Sequence, residues 1–254
     1  MSVSRETLET YWPKIKKLAE TEGAQSVISL CEEEKDFNMR WSLYRFSNQT
    51  LAQRDWSGRD LNTAITVGEA GIESMLKIAS SDSEIEKTYK DRANILCYNL
   101  GANLCDCWDD GIERNDTFFE KGVELACRAI KLREELDKGP APFSMAYWLR
   151  GKHYLSLKQV PQAKEDLKKS LDYAKEDART KSQPDSLCVD AGFAVILGFG
   201  LVAIAEIMEG TPGAQDNFDQ VISVFENQIS QDSDKKADAE FGIFQLKESL
   251  PKSI

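Results

Sequence analysis

The segment 147–174, YWLRGKHYLSLKQVPQAKEDLKKSLDYA, constrains the fold more than any other part of the chain. It predicts two short helices, each with small, aromatic or apolar residues at three- or four-residue spacing on one face: Tyr147, Gly151 and Tyr154 in the first, and Ala163, Leu167 and Ser170 in the second. Small residues at such points let two helices approach closely. A two-helix unit of this kind cannot bury its apolar face alone, so the segment predicts stacked neighbours.

The rest of the chain carries the same helical signal. Apolar residues recur at three- and four-residue spacing, and strict alternation is scarce. Glycine and proline are few, which favours long helices over a strand-rich fold. Turn signals divide the chain into about eleven helices. Helix starts are predicted at Ser4, at Ser81 with Glu84, and at Thr117 with Glu120.

Three other regions repeat the pattern of residues 147–174. The copies are Leu43, Phe46, Ser47 and Thr50 with Ala64, Gly68 and Gly71; Leu100, Gly101 and Leu104 with Gly122, Ala126 and Ala129; and Leu197, Gly198 and Leu201 with Ala214, Phe218 and Val221. The second copy contains an insertion, CDCWDDGIERND, between its two halves.

This pattern resembles the tetratricopeptide-repeat family over residues 38–228. Arg150 stands where the family prefers Leu, and the glycines of successive copies lie further apart than the roughly 34 residues of the family repeat. The resemblance implies an all-α fold, a right-handed array of antiparallel helix pairs (an α-solenoid). Residues 1–254 would form one domain, with an N-terminal helical pair at 1–36, four irregular repeats at 38–228 and a capping helix at 233–250.

The resemblance also implies a ligand groove on the inner face of the first helix of each pair. The residues placed on that face, or beside it, are Tyr44, Asn48, Tyr98, Asn99, Trp148, Lys152 and Phe199. Aromatic side chains anchor peptides well, but the same residues could instead pack between repeats. A family variant clamps a C-terminal carboxylate with Lys, Asn and Arg residues. Asn99 matches one clamp position, but Met145 and Leu149 do not, which disfavours that ligand.

Charge limits the partners. The formal net charge is −11 and the isoelectric point is about 4.8. Nucleic-acid binding needs a basic face, so it is not expected, and an acidic surface favours a basic protein or peptide. The sequence begins without the apolar core of a signal peptide. The apolar run 192–205 is too short to span a bilayer and predicts a buried helix. We therefore expect a cytoplasmic protein with no membrane span.

The six cysteines are expected to be buried free thiols, with one exposed reactive thiol as an open alternative. Cys105 and Cys107 invite a metal interpretation. Two residues two positions apart on a helix point in different directions, so they cannot chelate one ion unless the helix has ended. No paired CxxC motif is present, and we predict no metal site.

The sequence offers no motif for catalysis or for a cofactor. His153 is the only histidine, and no phosphate-binding loop or nucleotide fingerprint occurs. We therefore expect a binding scaffold or adaptor and not an enzyme. One alternative is a regulator that encloses a small molecule or peptide. Another is an enzyme on a helical frame, which would require a buried, perturbed carboxylate or thiol in a pocket.

Overall fold

The computed structural model describes residues 3–108 and 110–250, and every regular element in them is a helix. This confirms the all-α prediction. The helices are α1 (Arg5–Glu9), α2 (Trp12–Thr21), α3 (Ala24–Glu32), α4 (Phe37–Gln53), α5 (Leu61–Ala79), α6 (Glu86–Asn103), α7 (Asp116–Glu135), α8 (Pro140–Ser156), α9 (Val160–Thr180), α10 (Phe193–Glu209), α11 (Ala214–Gln231) and α12 (Lys236–Ser249).

The described residues thus contain twelve helices where about eleven were expected. The difference lies at the N-terminus, where three helices precede Asp36 instead of two. Helix α1 is a single turn, and Ser4 caps it as predicted, because the backbone N–H of Thr7 donates to the Ser4 hydroxyl at 3.1 Å.

The chain groups into two compact units. Unit 1 consists of the residues up to Leu104 together with Lys131–Leu136, and unit 2 consists of Cys105–Ile130 together with the residues from Asp137 onward. The first break falls at the start of the insertion in the second sequence repeat. Helix α7 is divided between the units, with its last turn in unit 1.

In unit 1, helices α4, α5 and α6 pack in succession. The small residues of α5 lie where the helices touch. A Cβ atom on Gly71 would lie 2.8 Å from the Tyr44 ring, and a Cβ atom on Gly68 would lie 2.8 Å from both Asn48 and Leu100. These distances are shorter than van der Waals contact, so the close approach depends on glycine.

In unit 2, helices α8 to α11 pack in succession, and α12 packs on α10 and α11. The segment 147–174 forms the predicted pair α8 and α9. A Cβ atom on Gly151 would lie 2.7 Å from Leu167 of the partner helix. Gly198 makes the corresponding approach of α10 to α9, where its nearest neighbour is Leu171.

Arg150, the departure from the family pattern, has a partner of its own on α9. Its guanidinium donates two hydrogen bonds to the Asp166 carboxylate, at 2.6 and 2.8 Å. A bidentate pair of this kind fixes geometry as well as adding energy. The pair therefore supplies between α8 and α9 a polar contact in place of the family's apolar one.

The apolar run 192–205 is buried, as predicted. It forms most of α10, and Val195, Ile196, Leu201 and Ile204 are each at most 2% exposed within the core of unit 2. Gly210 ends the helix in the left-handed conformation, with φ of 75°.

Two predicted helix starts are wrong. Helix α6 begins at Glu86, beyond Ser81 and Glu84, and Ser81 donates to the Ile78 carbonyl at the end of α5. Helix α7 begins at Asp116, and the side chain of Asn115 accepts from Phe118 N–H there, at 3.3 Å. Local capping patterns do not distinguish a helix start from the turn that precedes it.

Candidate functional site

Unit 1 has a concave groove between α1 and α4. Its volume is about 630 Å³. Three arginines line it, Arg5, Arg45 and Arg54, and the apolar lining includes Trp41 and Phe46. We call this site the α1–α4 groove.

One wall of the groove is fixed by Arg54. Its guanidinium contacts both carboxylate oxygens of Glu9, at 2.5 and 2.6 Å, which ties α1 to the end of α4. The same guanidinium lies 4.9 Å from the ring centre of Trp12 and 5.4 Å from that of Phe46. The hydrogen bond from Arg54 holds the pKa of Glu9 below its ordinary value. Arg54 is thus mainly structural.

Arg45 is different, because it is exposed and has no carboxylate partner among the described residues. Its guanidinium lies 5.5 Å from the ring centre of Trp41, one turn earlier on α4. Arg92 also stacks on Trp41, at 4.8 Å. Two guanidinium groups therefore stack on the Trp41 ring, and cation–π attraction stabilises both contacts.

Two buried donors beside these rings have no acceptor within the described chain. They are Nε1 of Trp41 and Nη1 of Arg92. Buried donors are normally paired, so each of these lacks stabilisation that an added acceptor could supply. The groove therefore combines three arginines, the unpaired indole N–H of Trp41 and apolar lining residues within a chain whose net charge is −11.

The predicted ligand residues of α4 lie inside the helix packing. Tyr44 is fully buried and donates from its hydroxyl to Glu32 on α3, at 2.8 Å. Asn48 is buried and accepts from the side-chain amide of Asn103, at 3.0 Å. Neither side chain reaches the surface of unit 1, so the binding role predicted for both stays untested and would need the packing to open.

Lys152 is also buried, and it is the centre of a polar cluster in unit 2. Its ammonium group donates to the Ser249 hydroxyl at 2.7 Å and lies 3.3 Å from Oδ1 of Asp106. Oδ2 of Asp106 accepts from Ser156 at 2.9 Å. A buried ammonium group needs such partners, because charge is costly to remove from water. We call Cys105, Asp106, Cys107 and Lys152 the Lys152 centre.

Neither thiol of the Lys152 centre is in a disulfide, and both are buried two positions apart in the sequence. Helix α6 ends at Asn103, so residues 105–107 are not helical and their side chains need not diverge. The Cys105 sulfur lies 3.6 Å from Nε2 of His153. The side-chain amide of Gln245 lies 3.8 Å from the Cys107 sulfur.

The ionisation of the centre is set by burial and charge together. Burial alone lowers the pKa of Lys152, but the negative charge of Asp106 and the neighbouring thiols outweigh it and raise that pKa. Burial raises the pKa of Asp106, and the Lys152 charge with the Ser156 hydrogen bond more than reverses this. A hydrogen bond from Cys105, together with the positive charge of Lys152, lowers the pKa of Cys107. Burial raises the pKa of Cys105.

The other predicted residues are half-buried and do not form one site. Tyr98 lies 5.3 Å from the Arg133 guanidinium in unit 1, and Asn99 is next to it on α6. Trp148 packs against the core of unit 2. Phe199 lines a smaller groove of about 370 Å³ between α10 and α11, and Lys175 lies 4.6 Å above its ring.

Sequence reasoning missed the arginines of the α1–α4 groove and the pairing of Cys105 with Cys107. The spacing of Trp41 and Arg45, one helical turn apart, was a usable signal for the first. The pairing of Cys105 with Cys107 could not be predicted without knowing that α6 ends at Asn103.

Two of the sequence predictions concern metal binding and membrane spans. Within residues 3–108 and 110–250, no group of three or more His, Cys, Asp and Glu side chains is arranged to hold a metal ion. In the same part of the chain, no helix is both long and apolar enough to cross a bilayer.

Comparison of the chain with protein-family models, with characterised proteins and with solved structures gave no significant match.

Proposed function

We propose that this protein is a helical-repeat scaffold that binds an acidic peptide or protein segment in its α1–α4 groove. The observation that carries the proposal is the exposed Arg45, stacked on Trp41 and without a carboxylate partner in the described chain. The resemblance of four segments to tetratricopeptide repeats, a family of binding proteins, supports a binding role over catalysis.

The charge of the groove determines the class of partner. The net charge of the chain favoured a basic partner, but a ligand responds most strongly to the charges close to it, because salt screens exposed charges beyond roughly 10 Å. Arg5, Arg45 and Arg54 line the groove, and among the described residues only Glu9 forms ion pairs with them. Carboxylates of a ligand would find bidentate donors there.

The remaining lining suits a peptide. Leu8, Trp41 and Phe46 offer an apolar surface for one anchoring side chain, and the amide of the exposed Gln49 can pair with a peptide backbone. An acceptor bound beside Trp41 would also satisfy its unpaired indole N–H. The site is a groove and not an enclosed cavity, which favours a segment of chain over a small molecule.

The compartment we propose is the cytoplasm. All six cysteines are free thiols. Free thiols persist where glutathione and thioredoxin keep the medium reducing.

The test is fluorescence anisotropy with a labelled Glu-rich peptide that carries one central Leu. Two comparison peptides replace Glu by Lys or the central Leu by Ser. We expect the acidic peptide to bind most tightly, and its affinity to fall as salt rises. Arg45→Glu should weaken binding at least tenfold, because one ion pair is lost and a like charge is introduced.

The matched control is Arg179→Glu, which makes the same change of charge at an exposed residue of α9 outside the groove. We expect it to leave the affinity within about twofold of wild type. Equal binding of acidic and basic peptides, or an unchanged affinity in Arg45→Glu, would contradict the proposal.

A further inference from the structure

The Lys152 centre places two thiols, one ammonium group and one carboxylate together in the interior of unit 2. Helix packing alone does not require them, since apolar residues of similar size would fill the space without burying charge. Cys105 and Cys107 are at most 1% exposed, yet they belong to a non-helical segment, where the backbone can adjust more easily than in a helix. A thiol beside a positive charge, with a second thiol close by in the sequence, can be oxidised once an oxidant reaches it, and a local opening of this non-helical segment would admit one.

We infer that Cys105 and Cys107 form a redox-active dithiol, in which Cys107 is the attacking sulfur, Lys152 is its counter-ion and hydroperoxides are the oxidant. This modification site is independent of the α1–α4 groove. It would make unit 2 responsive to oxidants without any cofactor.

The geometry assigns different roles to the two sulfurs. Cys107 receives a hydrogen bond from Cys105 and lies near the Gln245 amide and the Lys152 charge, which all stabilise a thiolate. Burial raises the pKa of Cys105, whose sulfur lies 3.6 Å from Nε2 of His153, so Cys105 stays a thiol. Asp106 opposes ionisation of Cys107 through its own negative charge, although it also helps to hold Lys152 in place.

The reaction has two balanced steps. In the first, the Cys107 thiolate attacks one oxygen of hydrogen peroxide, the S–O bond forms, the O–O bond breaks, and hydroxide leaves. In the second, the Cys105 sulfur attacks the Cys107 sulfenic acid, the S–S bond forms, the S–O bond breaks, and the hydroxyl leaves as water with the Cys105 proton. The two sulfurs lose two electrons and the peroxide gains them.

The experiment uses the reduced full-length protein, treated with increasing hydrogen peroxide at pH 7 and then alkylated. Trypsin releases residues 93–114 as one peptide, which contains Cys97 as well as both thiols of the centre. Fragment masses then assign each bond. We expect a Cys105–Cys107 disulfide at doses that leave the exposed Cys127 reduced. Oxidation of Cys127 first, with Cys105 and Cys107 still free, would overturn the proposal.

Single substitutions separate the roles. Cys105→Ser should leave Cys107 as a sulfenic acid that a dimedone probe traps, whereas Cys107→Ser should leave Cys105 unreacted. Lys152→Met should slow oxidation about tenfold, the loss expected for a thiol pKa one unit higher. Loss of structure alone would expose the thiols and speed their oxidation, so unchanged or faster oxidation of Lys152→Met would contradict the role of Lys152 as counter-ion. Circular dichroism checks that each variant is folded.

One measurement needs no variant. The rate at which iodoacetamide alkylates Cys107 in the folded wild-type protein follows its thiolate fraction. We expect its midpoint to lie below pH 8.5, the value of an ordinary cysteine, with Cys127 as the internal reference. A midpoint at or above that of Cys127 would refute the assignment of Cys107 as the attacking sulfur.

Discussion

Removal of Asp106 should destabilise the protein more than removal of Lys152, although the two side chains form one ion pair. Asp106→Asn leaves the Lys152 ammonium group buried without a carboxylate, since that side chain is only 2% exposed. Lys152→Met leaves a carboxylate that is 37% exposed and can turn to water. An uncompensated buried charge is the costlier defect.

The distance sets the size of the effect. At 3.3 Å and an effective dielectric constant of about 20, the Coulomb attraction is about 5 kcal/mol, an upper bound. We expect Asp106→Asn to lower the free energy of unfolding by about 3–5 kcal/mol. Lys152→Met should lower it by about 1–2 kcal/mol, chiefly because the hydrogen bond to Ser249 is lost. The double variant should resemble Lys152→Met, so the coupling energy should equal the cost of Asp106→Asn, about 3–5 kcal/mol.

The assay is urea unfolding of the wild type, the two single variants and the double variant, with midpoints and slopes fitted for each. Because ionised Cys107 could replace the lost carboxylate, the cycle is repeated in a Cys107→Ala background. The matched control is the surface pair of Lys164 and Glu209, at 2.5 Å, whose coupling should stay below about 1 kcal/mol.

The pH dependence has a defined sign. The pKa of Asp106 is lower in the folded protein than its ordinary value. The pair therefore stabilises the fold above about pH 3.9, the ordinary Asp value, and this contribution is lost as the pH falls below it. We would abandon this account of the Lys152–Asp106 pair if Asp106→Asn were no more destabilising than Lys152→Met, or if the pair coupled as weakly as the surface pair.

Two further predictions concern packing and burial. Gly122→Ala should destabilise unit 2 by roughly 1–3 kcal/mol in urea unfolding, because its Cβ atom would lie 2.1 Å from the fully buried His153 ring; Gly139→Ala, with no atom within 4 Å, should change stability little. Burial raises the pKa of Cys31 to about 12, so the free energy of unfolding should fall between about pH 8.5 and 12 by up to about 1.4 kcal/mol per pH unit. Cys31→Ala should reduce this dependence on pH, and an unchanged dependence would contradict the prediction.

The helices and several of their contact points were predictable, because they depend on local periodicity. Gly151 against Leu167 is a contact between neighbours in sequence, and a small residue at helical spacing is a direct signal for it. The buried α10 was predictable for the same reason, since a run of apolar residues without charge has few alternatives.

The ligand face was not predictable, because distant residues decide which positions stay exposed. The register that placed Tyr44 and Lys152 on an inner face took no account of α3 and α12. Glu32 of α3 bonds Tyr44, and Ser249 of α12 bonds Lys152 from the far end of the sequence. Repeat periodicity contains no information on contacts of that range, whereas the local contact of Arg45 with Trp41 was visible in their spacing of one helical turn.

The single turn of α1 has a kinetic consequence for the groove. A five-residue helix is not stable by itself, and α1 is held largely by the Ser4 cap and the pair of Glu9 with Arg54. Motions of such short segments occur within nanoseconds to microseconds. When the Glu9–Arg54 pair releases, this wall can therefore open without disturbing the core. For the acidic segments proposed as ligands, such opening would favour short-lived encounters over long retention.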